Sequence, residues 1–431
     1  MRHRRNLAPV SSAEPFRARR ILVIGTLDTK GTEVGFLKEQ IERRGHRTVV
    51  MDIGILGRPD LPADIPRQEV VRASGMDLQE ALDAGDREQA VNIVIEGARR
   101  KTEELYANGE LDGIIALGGG TALFMGTAIM QALPIGVPKL VLSSMISGDV
   151  SRFVGGKDIT LMQSVADIVG LNPVTRDILT LAAGAISGMV EACVEISSRT
   201  SLLIAVTDFG ITTPCAQYAA QLLGEKGYEA IIFHTVGSGG TAMEELIARG
   251  LFAGILDLTT HEFIDHLAGG YYGNIGPERL ETAGQKGIPQ VVGPGGLDCI
   301  AVVQGEIPAR FRGRKFYYHD FRRCARPTVE ELRRVAQVMA ERLNRARGPV
   351  KVLLPLRGWS KADKEGGPLY DPEGNWAFGE ELRRHLKPEI EVIEVDAHIN
   401  ESLYAKTAVA LLEGMMEGGD APIETGQCSA S

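Results

Sequence analysis

The chain has 431 residues, a formal net charge of −9 and 44% hydrophobic residues, with 51 glycines. That length exceeds one ordinary hydrophobic core and predicts two or three domains. The negative charge argues against a general nucleic-acid-binding protein, which needs a basic face. No apolar run reaches the ~18 residues that a membrane-spanning helix requires.

The two ends of the chain differ from its middle in composition. Residues 1–19 are rich in arginine, contain one acid and have no apolar core of the kind found in secretory signals. We expect a disordered leader, with a transit peptide as the alternative. Residues 417–431 are mostly small or polar and predict a flexible tail.

Short apolar strands alternate with amphipathic helices along the first half. Strands are expected at 21–24, 48–51, 113–117 and 139–142, and helices after residue 31, at 87–107, from 121 and at 174–197. Such alternation predicts a mainly parallel α/β sheet with helices on both faces. Residues 20–198 therefore read as a Rossmann-like nucleotide-binding domain, and residues 199–416, where the pattern restarts, as a second Rossmann-like domain.

Three polar loops follow the first-half strands and are expected to meet at one edge of the sheet. The turn Gly118-Gly-Gly-Thr121 opens a helix, so its amides and the helix dipole can hold a phosphate. The alternative is a tight strand-to-helix turn without a ligand. The predicted nucleotide-binding residues are Gly25, Thr26, Asp28, Thr29, Lys30, Gly118, Gly119, Gly120, Thr121, Ser147, Gly148 and Asp149.

Charged side chains in these loops suit a phosphate ligand. Lys30 can add a positive charge, and either Asp28 or Asp149 can hold a magnesium ion that arrives with ATP. The alternative role of both aspartates is to stabilise turns and helix N-termini.

The second half predicts its own crevice at the ends of its strands. Its expected rim is Thr207, Asp208, His234, Gly237, Gly239, Gly240, Arg357 and His398, with Asp257, Gly293–Gly296 and Ser360 nearby. Histidine titrates near neutral pH, so His398 is a candidate catalytic residue, with Asp257 and Glu262 as further candidates. A histidine bonded to neighbouring backbone is the alternative.

The segment Gly237-x-Gly239-x-x-Ala242 matches a dinucleotide fingerprint, with Asp257 about 20 residues further on. It follows the second strand of its domain instead of the first, which makes an NAD-dependent enzyme the outside hypothesis. Asp257, His261, Glu262 and Asp265 can alternatively hold a metal or begin a helix. Gly-Gly-Thr-Ala occurs in both halves and suggests related domains.

Other features restrict the possible chemistry. The basic segment Arg310–Arg326 can bind an acidic ligand or pack on an acidic neighbour. The five cysteines are scattered without a Cys-x-x-Cys pair, which indicates neither a zinc site nor a disulfide framework and fits a cytoplasmic protein. Neither a Gly-x-Ser-x-Gly elbow nor an ordinary P-loop is present.

Several motifs in a fixed order resemble one known family. They are Gly25–Gly31, Ser147–Asp149, Lys157–Ile159, Asp167–Asn172, Ala182–Ile186, Ala242–Glu245, Leu256–Thr259, Pro355–Gly358 and Val395–Asn400. Together they resemble the bacterial family that is similar to the ATP-binding domain of the tomato mosaic virus resistance protein. The sequence departs from that family at Asp320–Arg326 and at His261, where threonine is usual.

The resemblance implies two Rossmann-like domains, ATP binding and a homodimer. Three functional hypotheses follow. The chain is an ATP-binding protein that acts on or senses a small anionic metabolite, or a nucleotide-gated protein-binding module without catalysis, as the plant relative's domain is, or an NAD-dependent enzyme. No nucleic-acid or membrane partner is expected.

Overall fold

A computed structural model describes residues 17–76, 78–83, 87–192, 202–303, 305–318 and 322–418. The chain divides into two compact units. The first comprises Met1–Val154 and Asp158–Glu195, and the second comprises Gly155–Lys157 and Ile196–Ser431. Most of the predicted leader and the predicted tail beyond Gly418 lie outside the described residues. No helix in the described ranges is long and apolar enough to cross a membrane.

The first unit alternates strands and helices as predicted. Its elements are β1 (Arg20–Gly25), α1 (Leu27–Glu42), β2 (Arg47–Asp52), α2 (Arg67–Ser74), α3 (Leu78–Asp83), α4 (Arg87–Ala107), β3 (Gly113–Gly118), α5 (Gly120–Met130), β4 (Lys139–Ser143), α6 (Ser151–Val154), β5 (Ile159–Gln163) and α7 (Pro173–Glu191). The strands form one parallel sheet in the order β2-β1-β3-β4-β5. Every residue of β3 and β4 is buried, as strands covered on both faces must be.

Helices cover both faces of this sheet. Apolar side chains of α1 and α7 pack on one face around Val23 and Ile115. Those of α2, α4 and α5 pack on the other face around Ile24 and Ala116. The sequence prediction of an α/β domain with helices on both faces is therefore confirmed.

The second unit contains the remaining elements. They are β6 (Leu203–Asp208), α8 (Thr213–Glu225), β7 (Glu229–His234), α9 (Ser238–Ala248), β8 (Phe252–Thr259), α10 (Glu262–Ala268), α11 (Thr282–Gln285), β9 (Gln290–Gly295), β10 (Ile300–Val303), a 3₁₀ turn (Ala309–Phe311), β11 (Phe316–Tyr318), β12 (Arg322–Ala325), α12 (Val329–Leu343), β13 (Val350–Pro355), α13 (Pro372–His385), β14 (Glu391–Val395) and α14 (Ser402–Glu417).

The main sheet of the second unit repeats the topology of the first and adds one strand. In its order, β7-β6-β8-β9-β13-β14, the second strand of the domain (β7) lies at one edge beside the first strand (β6). The later strands follow in chain order on the other side of β6. All its pairings are parallel. The two domains are thus related in topology, although the shared Gly-Gly-Thr-Ala follows the third strand of one domain and the second strand of the other.

A small antiparallel sheet was not predicted from the sequence. It has the order β10-β12-β11, and its pairing sets Ala301 opposite Cys324. This register brings Cys299 and Cys324 together, and a disulfide joins them with a Cα–Cα distance of 4.9 Å. The scattered cysteine spacing gave no sign of this bond, because the two residues meet only through strand pairing.

Candidate functional site

The strand order of the first unit creates a crevice between β1 and β3. These neighbouring strands lead into helices on opposite faces of the sheet, because α1 packs on one face and α5 on the other. At such a switch point the loops diverge and leave a gap beyond the carboxyl ends of the strands, where ligands bind in open α/β sheets. The predicted loops at Gly25 and Gly118 flank this gap.

A cavity of about 650 Å³ occupies that position. Its lining residues are Thr26, Asp28, Thr29, Ile53, Ile55, Leu56, Arg87, Glu88, Val91, Gly120, Thr121, Phe124 and Met125. Five of them belong to the predicted nucleotide-binding set. Thr26 and the first turns of α1 and α5 form a polar part, whereas the loop after β2 and the helices α4 and α5 supply apolar side chains. Helix α4 also contributes Arg87 and Glu88.

The glycine turn leaves backbone donors available at the cavity. Gly118 has a φ of 145°, which L side chains rarely adopt, so glycine is needed there. Gly119 caps α5 with a φ of −89°, and as a glycine it has no side chain to accept a hydrogen bond from the first turn. The first amides of a helix lack intrahelical acceptors, and the helix dipole favours an anion beside them.

The end of β4 supports this turn from outside the cavity. The Ser143 hydroxyl donates to the Gly119 carbonyl oxygen at 3.1 Å and accepts from the Met145 amide at 3.1 Å. The predicted ligands Ser147, Gly148 and Asp149 do not line the cavity. Asp149 accepts from the Ser151 amide at 2.9 Å, and hydrogen bonding from Ser151 lowers the pKa of its carboxyl. This is the turn-stabilising role that the sequence left open.

Lys30 and Gly25 also have structural contacts. The Lys30 ammonium donates to the Ile168 carbonyl oxygen, so it points to the loop before α7 and not into the cavity. The Gly25 carbonyl oxygen accepts from the Ile53 amide at 3.0 Å, which links β1 to the loop that follows β2. Of the predicted charged residues, Asp28 is the one that reaches the cavity.

A buried ion-pair network that the sequence reasoning missed holds the cavity wall. Arg67 donates from Nε to Asp52 Oδ2 at 2.7 Å and from Nη1 to the carbonyl oxygens of Leu56 and Gly57. Asp52 Oδ1 accepts from the Leu27 amide at 3.1 Å and the Gly54 amide at 2.9 Å. Asp28 accepts from the Leu56 amide at 3.2 Å and lies 3.8 Å from Arg67 Nη2. One guanidinium therefore fixes the loop that carries Ile53, Ile55 and Leu56.

Replacing Arg67 with lysine tests this assignment. Lysine keeps the charge but cannot donate to a carboxylate and two carbonyl groups in a fixed fork. We expect the free energy of unfolding of the first domain to fall by about 1–2 kcal/mol in urea titrations. The matched control is Arg58→Lys, on the exposed side of the same loop, with an effect below about 0.5 kcal/mol. Equal urea midpoints for both variants would contradict the assignment.

Of the two aspartates predicted to hold magnesium, only Asp28 lines the cavity. Among the described residues, no group of three or more histidine, cysteine or acidic side chains is placed to hold a metal. Magnesium in nucleotide sites usually takes only one or two carboxylates and completes its shell with phosphate oxygens and water. Asp28 and Glu88 line the cavity, whereas Asp149 does not. The Asp28 carboxylate is 5% exposed and already accepts from the Leu56 amide.

The equivalent switch point of the second unit, between β6 and β8, is filled by side chains. Phe209 stacks on His261 with a ring separation of 3.8 Å, and Tyr272 packs against both. The disulfide cysteines and Ile211 pack in the same cluster. His261 is fully buried and contacts the Gly296 carbonyl oxygen and Asp265. The predicted second crevice is closed at this point of the sheet.

Two of the candidate catalytic acids belong to a buried ion cluster. Arg279 pairs with Asp257 through two nitrogens and with Glu262 through Nε, and Glu244 lies 3.6 Å from it. All four side chains are at least nine-tenths buried. Burial raises the pKa of Glu244. Asp257 and Glu262 are thus enclosed and paired, which leaves no open cleft for a cofactor ribose beside Asp257.

Packing accounts for the glycines of the dinucleotide-like motif. The Gly237 amide donates to Glu262 at 2.8 Å. A Cβ at Gly239 would meet the His234 carbonyl oxygen at 1.9 Å, and one at Gly240 would meet Glu262 at 2.0 Å. The fingerprint in the sequence therefore corresponds to close packing of α9 on β7 and on the ion cluster.

The remaining residues of the predicted second crevice are also engaged. Thr207 accepts from the Thr259 amide at 2.9 Å, and Asp208 lies near the hydroxyls of Thr212 and Thr213 and 3.7 Å from His234. Arg357 makes a two-pronged ion pair with Asp396. His398 accepts from the Asn400 amide at Nδ1 and donates from Nε2 to the Ser360 carbonyl oxygen. That pattern is the backbone-bonded alternative considered for His398.

The basic segment packs on acidic neighbours, as its alternative interpretation proposed. Arg314 forms two hydrogen bonds with Glu331, at 2.6 and 2.9 Å. Arg326 lies 3.4 Å from Asp363 and 3.6 Å from Asp371. Arg314 and Arg326 are therefore paired with acidic residues of the second domain.

Asp298 is a buried titratable residue that the sequence reasoning overlooked. Its Oδ2 accepts from the Ser360 hydroxyl at 2.6 Å, and the side chain is fully buried. Burial, together with the nearby carboxylate of Asp363, raises the pKa of Asp298 to about 7. The signal in the sequence was only a Gly-rich strand end, which does not reveal burial.

This raised pKa predicts a pH dependence of stability. The folded state holds a proton on Asp298 between the ordinary carboxyl pKa and about 7, so the free energy of unfolding falls as pH rises through that range. The slope is at most about 1.4 kcal/mol per pH unit. Asp298→Asn should remove this slope in urea titrations at pH 5 to 8. Asp396→Asn should keep it, because the bond from Arg357 already lowers the pKa of Asp396. A slope that survives in Asp298→Asn would contradict the prediction.

Comparison with known proteins identifies the family. Residues 19–195 match the N-terminal domain, and residues 201–416 the C-terminal domain, of an uncharacterised protein family, UPF0261. A UPF0261 protein of Clostridium tetani is 37% identical over 402 residues, which cover 93% of this chain and 99% of that protein. A UPF0261 protein of Brucella suis is 36% identical and covers 93% of this chain and 96% of its own.

Two further similarities are weaker. The tomato ToMV resistance protein Tm-1(GCR237) is 32% identical over 423 residues, which cover 92% of this chain but 55% of that protein. A putative UDP-N-acetylglucosamine 2-epimerase of Listeria monocytogenes covers 94% of this chain and 99% of its own, with 11% identity and a TM-score of 0.22, too low to support any argument. Both family domains match in order across nearly the whole chain, and the chain therefore belongs to the UPF0261 family.

Proposed function

We propose that this chain binds ATP in the cavity between β1 and β3, with the phosphates on the turn Gly119–Thr121. The observation that carries the proposal is the meeting of this uncapped glycine turn with Thr26, Asp28 and Thr29 in one cavity of about 650 Å³. That volume lies within the usual range for small-molecule sites. The motif resemblance to an ATP-binding family supports the same ligand.

The two parts of the cavity suit the two ends of a nucleotide. Ile53, Ile55, Val91 and Phe124 offer an apolar surface for a base. The hydroxyls of Thr26 and Thr29, which lie 2.8 Å apart, belong to the polar part of the cavity and can donate to phosphate oxygens. Asp28 would hold the magnesium ion, which would offset phosphate charge.

Calorimetric titration with ATP, ADP and NAD, each with magnesium, tests the proposal. We expect ATP and ADP to bind, because both carry phosphates for the glycine turn. NAD is expected not to bind at Gly237–Ala242, since packing encloses that segment. The absence of binding by any adenine nucleotide, or binding by NAD alone, would overturn the proposal.

We propose two candidate functions for the protein with ATP bound. As the primary form, we propose that the protein acts on or senses a small anionic metabolite, for which Arg87 is the cation in a lining that also holds Asp28 and Glu88. The alternative is nucleotide-gated protein binding without catalysis. It is favoured by the engagement of His398, Asp257 and Glu262 in structural contacts. Phosphate release that a metabolite accelerates would support the first form, and binding without turnover the second.

A further inference from the structure

Helix α7 has an outward face that is unusual for a surface helix. Its inner face packs on the sheet through buried Leu179, Ala182, Ile186 and Val190. The outer face of such a helix normally carries charges, yet the sequence from Ile178 to Val190 contains none. Val174 is 51% exposed and Leu181 60% exposed on the outer side.

This face carries two glycines, and one of them, Gly188, has no packing explanation within the described chain. A glycine inside a helix costs about 0.5–1 kcal/mol relative to alanine. A Cβ built at Gly188 meets no atom within 4 Å, and one at Gly184 meets only the Arg44 guanidinium, nearest at 3.3 Å. Alanine would therefore fit at Gly188 without any clash inside the described chain. Small residues on a helix surface allow another helix to approach closely.

The charges that border the face complement each other. Arg44 lies beside Gly184, and Asp177 stands seven residues before Gly184, about 10 Å along the helix. Both residues are exposed, and neither has an ion-pair partner in the part of the chain that the structure describes, although Arg44 Nη1 donates to the Gln40 carbonyl oxygen at 2.9 Å. Each is thus available to an opposite charge on another molecule.

We propose that α7 is the interface between two copies of this chain, packed antiparallel about a twofold axis near Leu181. In that arrangement Asp177 lies opposite the partner's Arg44, and Val174 lies over the partner's Gly188. Leu181 meets the same residue of the other copy. A twofold interface must be complementary to itself, and this surface has matching charges, large residues and gaps at symmetric distances from one point.

The apolar surface extends beyond the helix. The loop before α7 exposes Val165 to 80% and Val169 to 64%. A helix face alone is smaller than the ~800 Å² per partner of a standard interface, so this loop is expected to contribute. The proposal is independent of nucleotide binding, because none of these residues lines the cavity between β1 and β3.

Sedimentation of the full chain, without nucleotide, tests the interface. We expect the wild-type mass to approach twice 46.5 kDa as concentration rises. Gly188→Leu should shift the mass to that of one chain, because the side chain blocks the approach of the second helix. Gly224→Leu is the matched control, since a Cβ there also meets open space near the end of a helix, and it should remain dimeric.

A second measurement covers the case in which Gly188→Leu folds poorly. Leu181→Cys places a thiol beside the proposed axis, and mild oxidation should join two chains through this residue. Tyr218→Cys, on exposed α8, should not crosslink at a comparable rate. A monomeric wild type at every concentration, a dimeric Gly188→Leu, or equal crosslinking of the two cysteine variants would overturn the proposal.

Discussion

Gly119→Asp is expected to weaken ATP binding by at least about 100-fold. The new carboxylate would lie at the first turn of α5, where the proposal places the phosphates. Two like charges ~4–5 Å apart repel by roughly 3–4 kcal/mol at an effective dielectric constant of 20, and each 1.4 kcal/mol corresponds to a tenfold change in affinity. Calorimetric titration with ATP and magnesium measures the loss.

The fold should tolerate this substitution. Gly119 has a φ of −89°, and a Cβ there would have its nearest neighbour, the Ser144 hydroxyl, at 3.8 Å. Gly119→Asn is the matched control, because asparagine has the same shape without the charge and should retain most of the affinity. If Gly119→Asp bound ATP as tightly as the wild type, the phosphates would lie elsewhere.

Arg279→Met is expected to destabilise the second domain by about 3–5 kcal/mol, the range for removing one partner of a buried ion pair. The variant would leave Asp257, Glu262 and Glu244 enclosed without their guanidinium. Charged carboxylates in such a site pay the cost of lost hydration without a compensating attraction. Urea unfolding followed by circular dichroism measures the change.

Acidification should partly rescue this variant. Buried carboxyls without a counter-charge have raised pKa values, so the folded variant binds more protons than the unfolded chain, and its stability rises as pH falls. Arg334→Met, at an exposed position of α12, is the control and should change stability by less than about 0.5 kcal/mol. A loss below 1 kcal/mol in Arg279→Met would show that the cluster does not stabilise the domain.

The architecture followed from local pattern in the sequence. A strand at 113–117 and a helix at 87–107 were expected, and the structure has β3 at Gly113–Gly118 and α4 at Arg87–Ala107. A strand buried on both faces is a short apolar run, and glycine ends it where the chain turns into a helix. Because strand and helix alternate, the parallel sheets follow from the same pattern.

Contacts between distant residues were beyond the reach of that reasoning. Asp52 and Arg67 meet across an irregular loop, and Cys299 meets Cys324 only through the pairing of β10 with β12. The filling of the switch point between β6 and β8 was unforeseen for the same reason. Polar residues at strand ends signalled an open site, but whether a neighbour such as Phe209 fills the space depends on tertiary packing.

The glycine motifs illustrate the same limit within one residue type. Gly119 has space around its Cβ position, whereas Gly239 is pressed against the His234 carbonyl oxygen. Each is the first residue of a Gly-Gly-Thr-Ala sequence, so their sequences predict the same turn. Only the surroundings distinguish a glycine with open space at its Cβ position from a glycine that permits close packing.

The most direct test of the central claim is a crystal structure of this chain with magnesium and a non-hydrolysable ATP analogue. We predict density for the triphosphate at the amides of Gly119–Thr121 and for the base against Phe124. Asp28 is expected within reach of the magnesium ion. Density for the nucleotide in the second domain, with the cavity between β1 and β3 empty, would contradict the account.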